Sequence, residues 1–155
     1  MSDVLLARKL AEQLAADGAK MLALVRELDP PRLWQPGPGG GNGIGTLAHH
    51  LAGNLRHFLG LGVLGEAYAR NRPAEFADRG VPKETLLANL ETGLGVAARA
   101  LHALTAEQLA APWTTPCGAK FDTLATHVAR LAVHFSYHLG QATYAAKALS
   151  TAPQK

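Results

Sequence analysis

The residues of this chain best suited to chemistry are histidines. Two of them stand four apart in Val133-His134-Phe135-Ser136-Tyr137-His138-Leu139-Gly140-Gln141. On a helix that spacing stacks the imidazoles one turn apart, with Cβ atoms roughly 5–6 Å from each other, so both rings can reach one ion. Imidazole nitrogens hold zinc and similar metals at about 2.0–2.1 Å. A second segment, Gly43-Ile44-Gly45-Thr46-Leu47-Ala48-His49-His50-Leu51-Ala52-Gly53-Asn54, places a further histidine in an otherwise apolar helical pattern. Together these segments point to a three-histidine metal site inside a helix bundle.

Such side chains need long helices to hold them, and the sequence supplies four. The first is predicted from about Asp3 to Leu28, with Leu6, Leu10, Leu14, Met21, Leu24 and Leu28 at helical spacing. It ends at Asp29-Pro30-Pro31, because proline cannot continue a helix. The Gly- and Pro-rich stretch from Gln35 to Gly43 is expected to be an extended, mobile loop. A second helix is predicted over about Ile44 to Leu64 and a third over about Lys83 to Leu104, introduced by Val81-Pro82. Thr105-Ala106-Glu107-Gln108 has the form of a capping motif for one short extra turn. Beyond Pro112-Trp113-Thr114-Thr115-Pro116, the last long helix is predicted from about Phe121 to Leu149.

Helices of this length suit an all-α bundle rather than an α/β fold. No strand pattern of convincing length, fixed-period repeat or domain boundary is visible, so residues 1–155 read as one domain. The glycines at 37–43 follow no strand and lack the GxxxxGK[ST] pattern, which argues against a phosphate cradle.

Composition narrows the function classes. An apolar fraction of 48% with 17% charged residues is that of a folded protein, and the apolar content is mostly helix-favouring Ala and Leu. The net charge of +3 is spread along the chain, which argues against a nucleic-acid surface. There is no signal-peptide pattern and no run of eighteen apolar residues, so no membrane association is expected. The single Cys117 fits a reducing compartment, and the expected location is cytoplasmic.

Helical projection sharpens the site. Leu124, His127, Leu131, His134, His138, Gln141 and Ala145 share one face of the last helix, and Leu47, His50, Asn54, His57 and Leu61 share one face of the second. Both are natural core stripes, yet each carries polar groups near its middle. Burying an imidazole or amide without a partner costs on the order of 1–3 kcal/mol. A metal would supply a common reason for several such groups. The plainer alternative is partly buried histidines bonded to backbone carbonyls or water.

The segments Gly45-Thr46-Leu47-Ala48-His49-His50-Leu51-Ala52-Gly53-Asn54-Leu55-Arg56-His57-Phe58 and His134-Phe135-Ser136-Tyr137-His138-Leu139-Gly140-Gln141 resemble the DinB-like superfamily. Arg70-Asn71-Arg72-Pro73-Ala74-Glu75-Phe76 resembles a subgroup of it without an assigned reaction. The resemblance implies an up-down-down-up four-helix bundle holding a divalent metal with His50, His134 and His138. His50 is preferred to His49 because the family histidine precedes Leu-x-Gly-Asn and because His50 shares a face with Asn54. His127 matches a frequent family histidine one heptad earlier, while Phe135 stands where many relatives carry glutamate. The expected metal is zinc or nickel, with iron or manganese as alternatives.

Three imidazoles leave a coordination position open, as in catalytic rather than structural sites. Asn54, His57, His127 and Gln141 are expected to line the pocket or to orient the ligands. Tyr137 is expected to pack, Trp34 and Trp113 to cap the bundle ends, and Arg56, Arg72, Glu75 and Arg79 to lie in a solvated loop, with recognition of an anionic cosubstrate as the alternative. Characterised relatives imply a metal-dependent thiol S-transferase acting on a small molecule with a low-molecular-weight thiol. Metal-assisted hydrolysis ranks lower, because neither stripe carries an Asp or Glu to serve as base. The remaining reading is a non-catalytic, stress-related bundle that binds metal or a small ligand. The small-residue run Gly93-Leu94-Gly95-Val96-Ala97-Ala98 suits either a homodimer contact or tight packing within the bundle.

Overall fold

The computed structural model describes residues 2–151. Four long helices form the bundle: α1 (Asp3–Glu27), α3 (Ile44–Leu55), α5 (Lys83–Ala103) and α7 (Leu124–Thr151). Three short ones, α2 (Pro30–Leu33), α4 (Arg72–Ala77) and α6 (Ala106–Ala110), lie in the connections. Between α6 and α7, β1 (Trp113–Thr114) and β2 (Lys120–Phe121) form a small antiparallel hairpin. No helix among the described residues is long and apolar enough to cross a membrane.

Cross-helix contacts give the helix directions. Arg26 near the end of α1 bonds Glu91 at 2.7 Å, and Lys83 at the start of α5 donates to the carbonyl of Leu28, so α1 and α5 are antiparallel. Gly93 of α5 faces the backbone of Ala52, and Gly60, just past α3, faces Val96, so α3 and α5 run parallel. His50 meets His134 and Phe58 meets His127, each pair with ring centroids 5.1 Å apart, so α7 runs antiparallel to α3 and the bundle is up-down-down-up. Parallel neighbours need a long crossover, and the segment between Leu64 and Lys83, which contains α4, provides it. A Cβ at Gly93 would stand 3.2 Å from the carbonyl oxygen of Ala52, so this part of the small-residue run serves close packing within the bundle.

Local chemistry sets the boundaries. Ser2 caps α1, Asp29 caps α2, and Thr105 and Gln108 form the reciprocal capping box expected for α6. The core combines Met21, Val25, Leu47, Leu51, Leu90, Leu101 and Phe135, all at most 1% exposed.

The structure corrects four expectations. The last helix begins at Leu124, because Phe121 is held in register with Trp113 and the Thr123 hydroxyl accepts the Thr126 N–H at 3.1 Å. The stretch from Gln35 to Gly43 is a closed turn rather than an extended loop: Gly37 donates to Gly41 at 2.8 Å, and Gly39 and Gly40 take φ of 67° and 78°. Residues 72–77 form α4, capped by Asn71, which accepts from the Ala74 N–H at 3.1 Å. Tyr137 is 61% exposed, because it lies one position off the buried face of α7.

Candidate metal centre

The site is assembled between α3 and α7 and closed by α4. Beyond Leu55, α3 continues without a break into a π-helical stretch (Arg56–Leu64) that carries His57 and Phe58. Wider turns of this kind recur at functional sites. His50 projects from α3, and His134 and His138 from successive turns of α7.

The three rings converge through one atom each. His134 Nε2 lies 3.2 Å from His50 Nε2 and 3.1 Å from His138 Nε2. The potential ligand atoms of the three residues all lie within 4.8 Å of one another. Nitrogens about 2.0–2.1 Å from one tetrahedral ion stand roughly 3.3–3.4 Å apart, so the spacing fits a shared cation.

Hydrogen bonding on the far side of two rings fixes their tautomers. His50 Nδ1–H donates to Glu75 Oε2 at 2.9 Å, and His138 Nδ1–H donates to Gln141 Oε1 at 2.7 Å. Both Nε2 atoms are then acceptors aimed at His134. A proton on His134 Nε2 could satisfy one of them but not both. A cation is the common partner that this donor set lacks.

Glu75 is itself locked. It is 3% exposed, and Arg70 bonds both its oxygens at 2.7 Å through Nε and Nη2. Burial alone would raise the Glu75 pKa, but hydrogen bonds and charge from His50 and Arg70 outweigh it and hold the carboxyl below its ordinary value. Gly53 makes the approach possible, since a Cβ there would collide with the Glu75 carboxylate. Gln141 in turn donates to the Tyr137 hydroxyl at 3.1 Å, a bond made at the surface of α7.

Burial favours the neutral imidazole at His134, His138 and His57. Burial, followed by the charges of His138, His50, Arg70 and Arg130, lowers His134 to about 4. His138 is lowered by burial against the opposing hydrogen bond to Gln141, and His57 by burial and then Arg70. Neutral imidazole is the form that ligates.

A cavity of about 620 Å³ is lined by His50, His134 and His138 together with Asn54, His57, Phe58, Arg70, Arg72, Phe76 and Cys117. No Asp or Glu is among the residues that line it. Cys117 is exposed, and its thiol is lowered chiefly by the Thr115 hydroxyl 3.2 Å away, with smaller help from backbone N–H groups and Arg70.

Each residue expected at the site has a definite place. His50, His134 and His138 meet, Gln141 holds His138, and Asn54 and His57 line the cavity. His127 stands apart from the trio, enclosed by Phe58, Phe121 and Trp113. Arg56, on the π-helical stretch, stacks on Tyr68 of the crossover, and Arg79 bonds the carbonyls of Phe76 and Asp78 within the crossover. The solvated-loop expectation fails for Glu75, which is buried and held by Arg70, a residue that helical spacing does not single out. The signal for both was Asn71-Arg72-Pro73, a cap followed by Pro at the start of a helix, which makes the segment a defined turn. Trp34 and Trp113 are partly buried and pack against the core.

Comparison with known proteins follows the same outline. YfiT from Bacillus subtilis, described as a probable metal-dependent hydrolase with an unusual four-helix bundle topology, superposes with a TM-score of 0.74 at 20% identity, over 94% of this chain and 89% of its own. The mycothiol-dependent maleylpyruvate isomerase superposes with a TM-score of 0.66 at 12% identity, over 87% of this chain and 60% of its own length. A mutant of that isomerase gives the same values. At these identities the likeness carries the fold alone. No curated protein matches this chain in sequence. The family described as "Protein of unknown function (DUF1572)" matches residues 11–154. Matched over nearly its whole length, the chain belongs to that family.

Proposed function

We propose that His50, His134 and His138 hold one divalent metal ion, zinc or nickel first, and that the protein is a metal-dependent enzyme that transfers a low-molecular-weight thiol. The observation that carries this reading is the convergence of three Nε2 atoms, two of them fixed as acceptors, on a cavity of about 620 Å³. Bound there, such an ion supplies Lewis acidity and lowers the pKa of a thiol toward neutrality.

The protein's own groups do the rest. Glu75 and Gln141 hold two imidazoles in the ligating tautomer. Arg70 keeps Glu75 ionised and in place. Arg72, stacked on Phe76 at 5.1 Å and lining the cavity, is placed to meet an anionic group of a cosubstrate. Thiol chemistry is favoured over hydrolysis because Glu75, the carboxylate nearest the trio, is committed to His50 and Arg70 and is not free to accept a proton from water.

The test has two stages. Elemental analysis of wild type and of His134→Ala/His138→Ala should find about one equivalent of divalent metal in the first only, with helicity retained in both. A panel of low-molecular-weight thiols is then incubated with an activated electrophile. Thiol-dependent, metal-dependent consumption supports transfer. Consumption without thiol points to hydrolysis, and a loaded but inert protein points to a metal- or ligand-binding role.

A further inference from the structure

A second cavity, of about 400 Å³, lies between the β1–β2 hairpin and α7. It shares Asn54, Phe58 and His134 with the cavity of the metal centre, so the two adjoin.

Its inner wall holds His127, 3% exposed, with both ring nitrogens buried and unpartnered. Rings of Phe58, 5.1 Å away, and Phe121, 4.6 Å away, flank the imidazole and offer it no hydrogen bond. A buried donor left in this state keeps its desolvation penalty uncompensated, and a ligand acceptor would offset it. Asn54, 6% exposed, makes no side-chain hydrogen bond among the described residues and stands at the junction of the two cavities.

The outer wall is cationic. Arg130 lines it with a guanidinium 5.9 Å from the Phe121 ring centroid and no carboxylate partner among the described residues, and Lys120 lies beside it. No Asp or Glu is among the residues lining this cavity. Aromatic rings with one buried N–H donor and two free cations match an apolar body ending in a carboxylate, whose planar oxygens suit an arginine fork.

We propose that this cavity is a carboxylate-binding subsite, in which His127 and Arg130, helped by Lys120, hold the anionic end of a substrate whose reacting end points past Asn54 toward His134. The subsite's role in turnover rests on the metal-centred function proposed above; the binding itself does not.

The experiment uses full-length protein stripped with a chelator, so that no carboxylate is captured by a metal. Fluorine NMR follows 4-fluorobenzoate and, as an uncharged control of the same shape, 4-fluorobenzamide. The benzoate should bind, and the amide should bind about tenfold more weakly or not at all. Lys120→Gln/Arg130→Gln, altered only at exposed positions, should lose about tenfold in benzoate affinity, and His127→Phe should lose a comparable amount. His134→Ala/His138→Ala should still bind the probe, so failure of the metal reading and failure of the subsite give different results. Equal binding of amide and benzoate, unchanged affinity in the Lys120/Arg130 variant, or displacement by inorganic phosphate as readily as by benzoate would each overturn the subsite.

Discussion

The carboxylate of Glu75 accepts the Nδ1–H of His50 at 2.9 Å from a position next to the backbone of Gly53, where any side chain would displace it. This links α4 to the ligand set through a single oriented ring.

Glu75→Gln is the direct test of that link. Removing a partner that orients a metal-bound histidine typically costs 10–100-fold in metal affinity, about the loss expected here by chelator competition. Arg70, with a side chain 9% exposed, also loses its counter-charge, so the melting temperature should fall in the metal-free protein too. Unchanged affinity would mean that Glu75 serves the fold alone.

Gly53→Ala should reproduce the Glu75→Gln phenotype without touching a charged group, because the new methyl occupies the carboxylate's place. Gly80→Ala, where an added Cβ meets nothing within 4 Å, is the matched control and should change stability by less than about 0.5 kcal/mol. Equal metal affinity in the two variants would contradict the steric argument.

Gln141→Leu should weaken metal binding by about tenfold, the low end of the range for such partners, since its bond to His138 is made at an exposed position. Isothermal titration with zinc would show the difference. An effect as large as that of Glu75→Gln would mean that burial of the partner does not matter.

Two aromatic positions on the same helix should respond very differently in urea denaturation. Phe135 is 0% exposed, and its truncation to Ala should cost about 3–5 kcal/mol. Tyr137 is 61% exposed, and Tyr137→Ala should stay within about 0.5 kcal/mol.

His127 gives the metal-free protein a pH signature. Burial, then the charge of Arg130, lowers its pKa to about 4 from its ordinary value of 6.5. Between those values the unfolded chain binds a proton that the folded chain refuses, so stability is complete above pH 6.5 and falls as pH drops toward 4. One such group contributes a slope of up to about 1.4 kcal/mol per pH unit. In denaturant melts across this window, His127→Phe should show a shallower decline than wild type by roughly that slope. Parallel curves would mean that His127 is protonated in the folded state.

Much of the architecture was legible in the chain because it depends on neighbours within one or two turns. The repeat of Leu6, Leu10 and Leu14, the Thr105–Gln108 box and the four-residue step from His134 to His138 are local relations, and each appears in the structure at or near its expected place. What only the tertiary structure decided are relations between distant segments. His50 and His134 meet across 84 residues, and His50 finds Glu75 across 25, through a crossover whose path no periodicity encodes. The same holds for His127, which helical spacing placed on the ligand stripe but which Phe58, Phe121 and Trp113 enclose away from the trio. Helical spacing states which side chains share a face; which groups complete them depends on how the parallel α3–α5 pair and its crossover pack against α7, and that is set by the bundle as a whole.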